Sequence, residues 1–502
     1  MKNYEIDAAW QYHDGTKHPN GILLNRAHLY HPTNRPTPFK FYRDAVQIKI
    51  VLDKQQSTVS ALDAISDKIK KEKTNFIPDI HVLSKILFFS GGITKTLKFP
   101  TLGEIEFRAA SCTGALYHIE IYIICSDIPG LEAGVYHFDP QNLTLTVLRK
   151  GDYRRTIINA TAGESFTSST PLMLVFTDIF SRNSVKYQAR EYRHAFWDCG
   201  TILSNALAIS NTQKIPYKLI LGFVDSEINS FLGLDTKKEA ALAILSLGHA
   251  DNEIPQPPPL GKIAEQVSSE YDREFSAIND MQESSSLENY QEVRSWRKEM
   301  ALETHQKNPT STTLEEEITV DDSLESIIFR RGSTRKFSCD SISLEQLSTI
   351  LKRSTNGIIA DFEESKNIND IYLIANAVDG LEQGSYFYNK EHRSLELLKK
   401  GDFRDVSGHL GLDQNLPYDA AVVIFFMTNL QKVLECFGNR GYRVAQMDAS
   451  IMGGKMYLAA YALHIGATGL TFYDDEVTEF FLPHANNKNT MFMIAIGKKI
   501  KI

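Results

Sequence analysis

Helical and alternating apolar periods divide the chain into two similar series of elements. Apolar positions spaced on one helical face predict a helix over Ile80–Ser90, closed by Gly91-Gly92 as a C-cap signal. Alternating and β-branched residues predict a strand over His118–Cys125, and Gly134–Asp139 with Leu143–Arg149 reads as a hairpin. Leu172–Phe176 reads as a buried strand and Ala241–Leu247 as a closing one. Between them Trp197–Ser210 is apolar on most helical faces, so it belongs inside the protein. Later in the chain Ser343–Leu351 and Ala445–His464 have helical periods, the second rich in small residues. The first 80 residues are polar and broken by Pro32, Pro36, Pro38 and Pro78. They predict a wrapping arm with one amphipathic helix around Val59–Lys70.

The pattern occurs twice. Gly130-Leu-Glu-Ala-Gly134 returns as Gly380-Leu-Glu-Gln-Gly384, and Lys150-Gly-Asp-Tyr-Arg154 as Lys400-Gly-Asp-Phe-Arg404. Tyr192-Arg193 matches Tyr442-Arg443, and every one of these pairs is separated by 250 residues. A period this long, present twice, is a duplicated domain. The expected layout is an arm over 1–80, a first domain over 81–250, a linker over 251–320 and a second domain over 321–502. The linker opens with the stiff Pro255-Gln-Pro-Pro-Pro259 and has helical stretches near Ile263–Ile278 and Leu287–Leu302. Copies that descend from a homodimer would keep its isologous packing, giving an intrachain pseudo-dimer.

Bulk properties narrow the function. With 502 residues, 42% hydrophobic and 23% charged, the chain has the balance of a soluble protein of at least two domains. A net charge of −8 argues against a nucleic-acid partner. No apolar run is long enough to span a bilayer, and the N-terminus has no signal-peptide core. Five cysteines without a CxxC pair suit a reducing cytoplasm, and neither they nor any HExxH indicate a metal.

Four motifs carry candidate chemistry. Arg330-Arg331-Gly332-Ser333-Thr334-Arg335 sets guanidinium forks around a hydroxyl, which suits a phosphate; a solvated basic turn is the competing reading. Arg108-Ala-Ala-Ser111-Cys112-Thr113-Gly114-Ala115 combines a positive charge with small residues that let backbone N–H groups approach a planar ligand, or forms an ordinary tight loop. Gly469, in Ile465-Gly466-Ala467-Thr468-Gly469, offers a backbone donor after the second long helix. Gly453-Gly454-Lys455, inside that helix, reads as close helix packing and not a phosphate loop. Lys186-Tyr187 is a candidate base and its orienter, with Arg190 and Arg193 as a means of lowering the lysine from its free value of about 10.4. A surface lysine beside a packed tyrosine is the alternative. The second copy has Cys436-Phe437 in place of Lys186-Tyr187, and Ile358–Ser365, with three acids, in place of the Arg108 loop. Neither half carries a full set, so one composite site needs both.

These residues resemble the nitroreductase-like flavoproteins, and within them the SagB/ThcOx-type dehydrogenases. Arg331-x-Ser333-x-Arg335 resembles the family's FMN-phosphate motif. Arg108-x-x-Ser111-x-Gly114-Ala115 resembles its Arg-x-Pro-Ser-x-Gly-Ala segment, with Ala110 where proline is usual. Lys186-Tyr187 is similar to the azoline oxidases' Lys-Tyr signature. The resemblance implies an α+β fold, two tandem FMN-dependent nitroreductase-like domains with a mixed sheet of four to five strands wrapped by helices. It implies FMN as cofactor, contacted by Arg331, Ser333 and Arg335 from one half and Arg108, Ser111 and Gly114 from the other, with Gly469 near the flavin N5. Lys186 and Tyr187 would then be catalytic, and Arg190 and Arg193 would contact substrate. The implied reaction is hydride transfer to flavin, with peptide azolines oxidised to azoles. Reduction of nitroaromatics or quinones by NAD(P)H is a second reading. A docking subunit of a peptide-modifying complex, without catalysis of its own, is a third.

Overall fold

The computed structural model describes residues 2–500 except 19–35, 54, 67–74, 100–102, 252, 267–273, 301–303, 307, 316 and 363–365. Pro32, the end of the expected Val59–Lys70 helix, the middle of Ile263–Ile278 and the end of Ile358–Ser365 lie outside the described residues. Within them, Ala61–Ile65 is helical, capped by Ser60.

Each half builds one seven-stranded sheet. In the first half the strands are β1 (Gln47–Lys49), β4 (Ile119–Cys125), β5 (Gly134–Asp139), β6 (Thr144–Lys150), β7 (Leu172–Ile179), β8 (Tyr217–Ile220) and β9 (Glu239–Leu247). A separate hairpin, β2 (Ile93–Phe99) with β3 (Gly103–Arg108), precedes β4. The order is β1-β6-β5-β4-β7-β9-β8. The second sheet repeats it as β10-β15-β14-β12-β16-β18-β17, built from β10 (Thr312–Thr313), β12 (Asp370–Ala375), β14 (Gly384–Asn389), β15 (Ser394–Lys400), β16 (Val422–Thr428), β17 (Gly466–Leu470) and β18 (Asn489–Gly497). Short β11 (Ile342–Ser343) and β13 (Val378–Asp379) pair beside it.

The α+β fold in two tandem copies is as the sequence indicates, but the sheets are larger than expected. Every strand pairing within them is antiparallel. Outside them, β11 and β13 pair in parallel, and a parallel bridge from Leu219 to Ala360 joins the edge of the first sheet to the second half. The expected closing strand is an inner one, flanked by β7 and by the four-residue β8, too short to show a period. The Ile80–Gly91 helix ends at Gly92 with φ −73°, an extended exit and not a left-handed cap.

The long helices Glu191–Thr212 and Arg440–Ala462 cross at the centre and are buried along their whole length. Small residues make the approach possible. A Cβ on Gly200 would lie 1.8 Å from Ser450 Oγ, and one on Gly454 would lie 2.2 Å from Ser204 Oγ, so Gly453-Gly454 serves helix packing as expected. One contiguous apolar core runs through both halves.

The linker repeats the arm. Tyr442 Oη lies 3.3 Å from His13 Nδ1 of the Asp7–Gly15 helix, while its counterpart Tyr192 donates to Gln282 of the Ser276–Ser284 helix. Ser60 of the arm and Ser323, just beyond the linker, form an antiparallel bridge. Among the described residues, no helix is long and apolar enough to cross a membrane.

Candidate active site between the halves

A cavity of about 290 Å³ opens between the two halves. The first half lines it with Ser111, Gly114, Lys186 and Tyr187, the second with Ser333, Arg335 and Gly469. Seven residues singled out from four separate motifs therefore meet at one place.

The Arg108 loop approaches by an unusual backbone. Gly114, Ala115 and Tyr117 all have positive φ, near 60°, 53° and 50°, a conformation that costs non-glycine residues on the order of 1 kcal/mol. A Cβ on Gly114 would also crowd the site, standing 3.1 Å from Tyr187 Oη and 3.3 Å from Lys186 Nζ. The Phe180–Tyr187 helix delivers both groups from its last turn, and Lys186 Nζ lies 5.0 Å from the Tyr187 ring centre.

His194, Trp197, Asp198 and Thr201, along one stripe of the Glu191–Thr212 helix, form the wall behind them. Sequence reasoning did not single them out, although one signal was available. In the second copy His194 is replaced by Val444, Asn183 by Val433, Asp178 by Thr428, His118 by Ile368 and Cys112 by Phe362. These polar groups form one network in the first half. Asp198 accepts from Thr113 N (3.0 and 2.9 Å), Thr113 Oγ1 (2.8 Å) and Cys112 Sγ (2.9 Å), and lies 2.7 Å from His118 Nε2. His118 Nδ1 is 2.6 Å from Asp178. Burial disfavours a charged His118, but the adjoining Asp178 outweighs it and holds the imidazolium well above the usual value. Burial and the Asp198 charge push the Cys112 thiol up to about 11, so it is a donor and not a nucleophile. Cys112, His118 and Asp198 are of metal-ligating type and lie within 4.8 Å of one another, joined here by these protons.

The same network sets the tautomer of His194. Thr113 Oγ1 gives its proton to Asp198, so it accepts from Asn183 Nδ2 (2.7 Å). That turns Asn183 Oδ1 toward His194 Nδ1 (3.1 Å), which must carry the hydrogen. His194 Nε2 is left as a lone pair, buried and with no hydrogen-bond partner among the described residues. Burial, and then Arg190, hold this ring well below the ordinary imidazole value. It packs edge-to-face on Tyr187 at 4.3 Å and stacks on Trp197 at 4.8 Å.

Not every expected contact reaches the cavity. Arg331 turns away from it, donating to the carbonyls of Ala109 (2.9 Å) and Arg108 (3.2 Å), which ties the phosphate motif of one half to the loop of the other. Its Nη1 is buried without a hydrogen-bond partner. Arg108 lies behind the loop, its guanidinium stacked 5.0 Å from the Tyr117 ring. The Gly469 N–H is held by Tyr457 Oη, and Ser333 Oγ lies 3.4 Å from the same hydroxyl.

Arg190 and Arg193 take a different role from the one expected. Both are buried in ion pairs with Asp474 across the two halves, and Arg193 also donates to the His13 carbonyl (2.6 Å). Their counterparts Arg440 and Arg443 pair in the same way with Asp225 (2.6 and 2.9 Å). A feature kept on both sides of the pseudo-twofold holds the halves together.

The pseudo-symmetric counterpart of the cavity is filled by the chain. Leu219, in the place of Gly469, donates from its N–H to the Ile359 carbonyl (2.9 Å) and accepts from Asp361 N (3.0 Å). Asp361, in the place of Ser111, accepts from Leu221 N (2.8 Å), Gly222 N (3.0 Å) and Arg297 Nε (3.1 Å). Trp296, at the end of the linker helix Tyr290–Trp296, is fully buried and donates to the carbonyl of Phe437 (3.0 Å), the residue in the place of Tyr187.

Comparison with known proteins agrees with this architecture. Residues 328–498 match the model of the nitroreductase family. A nitroreductase-like protein of Methanocaldococcus jannaschii is 25% identical over 166 residues, 33% of this chain and 78% of that protein. The microcin B17-processing protein McbC of Escherichia coli is 26% identical over 159 residues, 31% of this chain and 58% of McbC. A crystal structure of a nitroreductase-like protein from Anabaena variabilis superposes over 98% of this chain and 99% of its own, with a TM-score of 0.78 at 23% identity, which establishes the shared fold. The chain is thus a tandem nitroreductase-fold protein, and residues 328–498 in its second half match the nitroreductase family model.

Proposed function

We propose that the chain is an FMN-dependent oxidoreductase of the SagB/ThcOx type, with one active site built from both halves. The observation that carries this reading is the convergence of Lys186, Tyr187 and Gly114 with Ser333, Arg335 and Gly469 on one cavity. The residues present fit FMN. Ser333 and Arg335, both on the cavity wall, are suitable donors to its phosphate. Trp197, Tyr457 and Phe492 give the cavity apolar aromatic walls for a flat ring, and Gly114 leaves a gap that any side chain would fill. When bound, FMN supplies a two-electron acceptor for hydride that oxygen can regenerate.

Oxidation of an azoline ring to an azole removes one hydride and one proton from adjacent ring atoms. The chain supplies the groups for the proton. Lys186 and Tyr187 stand at the cavity wall as acceptor and orienter, and His194 behind Tyr187 is held neutral with its Nε2 lone pair unprotonated. His194 acts as a positioning residue for that pair, its ring packed edge-to-face on Tyr187. The similarity to McbC, a microcin-processing protein, supports a peptide substrate.

The test is the visible spectrum with released flavin counted per chain, followed by turnover of an azoline peptide. The proposal expects close to one FMN per chain and, for Lys186→Ala, a rate at least about a hundredfold lower with flavin retained. A colourless protein after reconstitution would overturn the cofactor, and two flavins per chain would overturn the single composite site. The M. jannaschii similarity favours reduction of nitroaromatics by NAD(P)H as the second reading. Rapid bleaching of the flavin by NAD(P)H without azoline turnover would select it.

A further inference from the structure

Beyond the motif residues, Gln414 and Thr471 also line the cavity between the halves. Gln414 lies on the loop after the Arg404–Leu410 helix, and Thr471 just past β17. Gln414 Nε2 donates to the Gly411 carbonyl at 2.6 Å. A carbonyl only accepts, so this bond fixes the amide orientation and leaves Oε1 as the acceptor that Gln414 offers. Thr471 Oγ1 is buried and has no hydrogen-bond partner among the described residues. A buried hydroxyl left unpaired at a cavity wall is satisfied by an acceptor on a ligand.

A polar clasp ties these two segments together. Tyr473, two residues after Thr471, donates from its N–H to the Leu410 carbonyl (3.0 Å) and from its hydroxyl to Asp413 Oδ2 (2.7 Å). The other oxygen of Asp413 lies 2.7 Å from His409 Nδ1, and His409 Nε2 lies 2.6 Å from Glu476 on the Asp474–Phe480 helix. The His409 and Tyr473 rings are 5.2 Å apart. An imidazole can donate to two carboxylates only with both nitrogens protonated. The bond to Asp413, and then that to Glu476, hold His409 above the ordinary imidazole value against partial burial. From the carboxylate range up to that raised value the clasp is complete. It opens as pH rises through it, because a neutral ring has one N–H for two acceptors.

The first half keeps the backbone of this region and lacks the clasp. The Val224 N–H donates to the Ala160 carbonyl (2.8 Å), as that of Tyr473 does to Leu410. Ala162 and Gly163, with φ of 53° and 70°, repeat the left-handed conformation of Leu412 and Asp413, with φ of 60° and 53°. In place of His409, Asp413 and Tyr473 stand Asn159, Gly163 and Val224. Glycine takes this conformation freely, whereas Asp413 is held in it by its two side-chain partners. Glu164, in the place of Gln414, is engaged within its own half, accepting from Thr167 N (2.8 Å) and pairing with Lys218 (3.2 Å). The clasp thus accompanies the loop that borders the open cavity and is missing from its counterpart.

We propose that Gln414 and Thr471 form a subsite for a backbone amide of a peptide substrate, with Gln414 Oε1 accepting the N–H and Thr471 Oγ1 donating to the carbonyl. A secondary amide carries that donor and that acceptor side by side. The clasp positions both side chains. The subsite rests on the oxidoreductase reading above, which supplies the peptide.

The test is calorimetric titration of the flavin-loaded full chain with an azole-containing peptide, and with the same peptide carrying an ester in place of the amide next to the ring. The exchange removes the N–H and keeps the carbonyl. The unaltered chain should bind the ester about tenfold more weakly. Gln414→Leu should bind both alike, at the weaker level and with flavin content unchanged, and Thr471→Val should weaken both several-fold. Asp413→Gly, the first half's residue, removes the clasp from a backbone that glycine tolerates. It should weaken amide binding several-fold and abolish the loss of affinity that the unaltered chain shows as pH rises through the His409 titration. No saturable binding, or equal binding of amide and ester by the unaltered chain, overturns the proposal. So does discrimination that persists in Gln414→Leu, or a pH dependence unchanged in Asp413→Gly. Loss of flavin from Gln414→Leu also overturns it, by assigning the pair to the ring edge of the cofactor. Azoline turnover by the same samples reports separately on the active-site reading: with turnover present and discrimination absent, the subsite alone fails.

Discussion

At the scale of single residues, the candidate site is held by groups with no freedom to change. Gly114 stands against Tyr187 Oη and Lys186 Nζ in a left-handed conformation, so Gly114→Ala meets both a steric and a backbone penalty. Turnover should fall at least about tenfold in Gly114→Ala with the thermal midpoint little changed, since the loop is not core. His194→Phe keeps the stacking on Trp197 but removes the lone pair. It should alter the pH profile of turnover, whereas a purely structural role would leave that profile in place. Asp474 offers a pH prediction with a definite sign. Burial disfavours its charge, but Arg190 and Arg193 outweigh that and hold the carboxyl well below its ordinary value. Its contribution to stability is therefore complete above the unfolded aspartate value of about 3.9 and is lost as pH falls toward the folded value. Asp474→Asn should lower stability at neutrality by about 3–5 kcal/mol, because two guanidinium groups stay buried, and should flatten the acid limb of the stability curve. Equilibrium denaturation across pH 3–7 checks both.

At the scale of elements, the two central helices decide how closely the halves approach. Gly200 against Ser450 and Gly454 against Ser204 leave no space for even a methyl group. Gly454→Ala should lower stability by about 1–3 kcal/mol through overpacking, and should reduce flavin content as the two walls of the cavity shift apart. A thermal melt with flavin quantified on the same sample checks this. The small-residue character of Ala445–His464 was legible in the sequence as a close-packing helix. Which residues lie opposite was not, because helix periodicity gives a face but no partner.

At the scale of the whole molecule, duplication has produced two places of the same ancestry and opposite condition. One is lined by Lys186, Tyr187, Ser333 and Arg335; the other is crossed by Leu219 and Ile359 and occupied by Trp296. Trp296→Ala removes a fully buried indole and should destabilise the chain by about 3–5 kcal/mol, yet flavin content should stay near one, since Asp361 and Phe437 still stand where Ser111 and Tyr187 are needed. A second flavin in this variant would show that the linker alone closes the site. The linker is thereby more than a spacer: it is the arm of the second copy, with a plug inserted.

The sequence by itself determined the duplication, the α+β class, most strands and both long helices. Offsets between copies and apolar periods are local, one-dimensional properties, and they survive without knowledge of contacts. It also determined the asymmetry, since a lysine-tyrosine pair facing cysteine-phenylalanine is visible on alignment alone. Tertiary structure alone decided what each charge touches. Arg190 and Arg193 carry the residue types of a substrate contact, but Asp474, hundreds of residues away, turns them into an interface pair. Likewise the neutral state of His194 comes from a hydrogen-bond path through Asn183, Thr113 and Asp198 that no spacing along the chain encodes. Electrostatic roles depend on distance and burial, and the chain acquires both only when it folds.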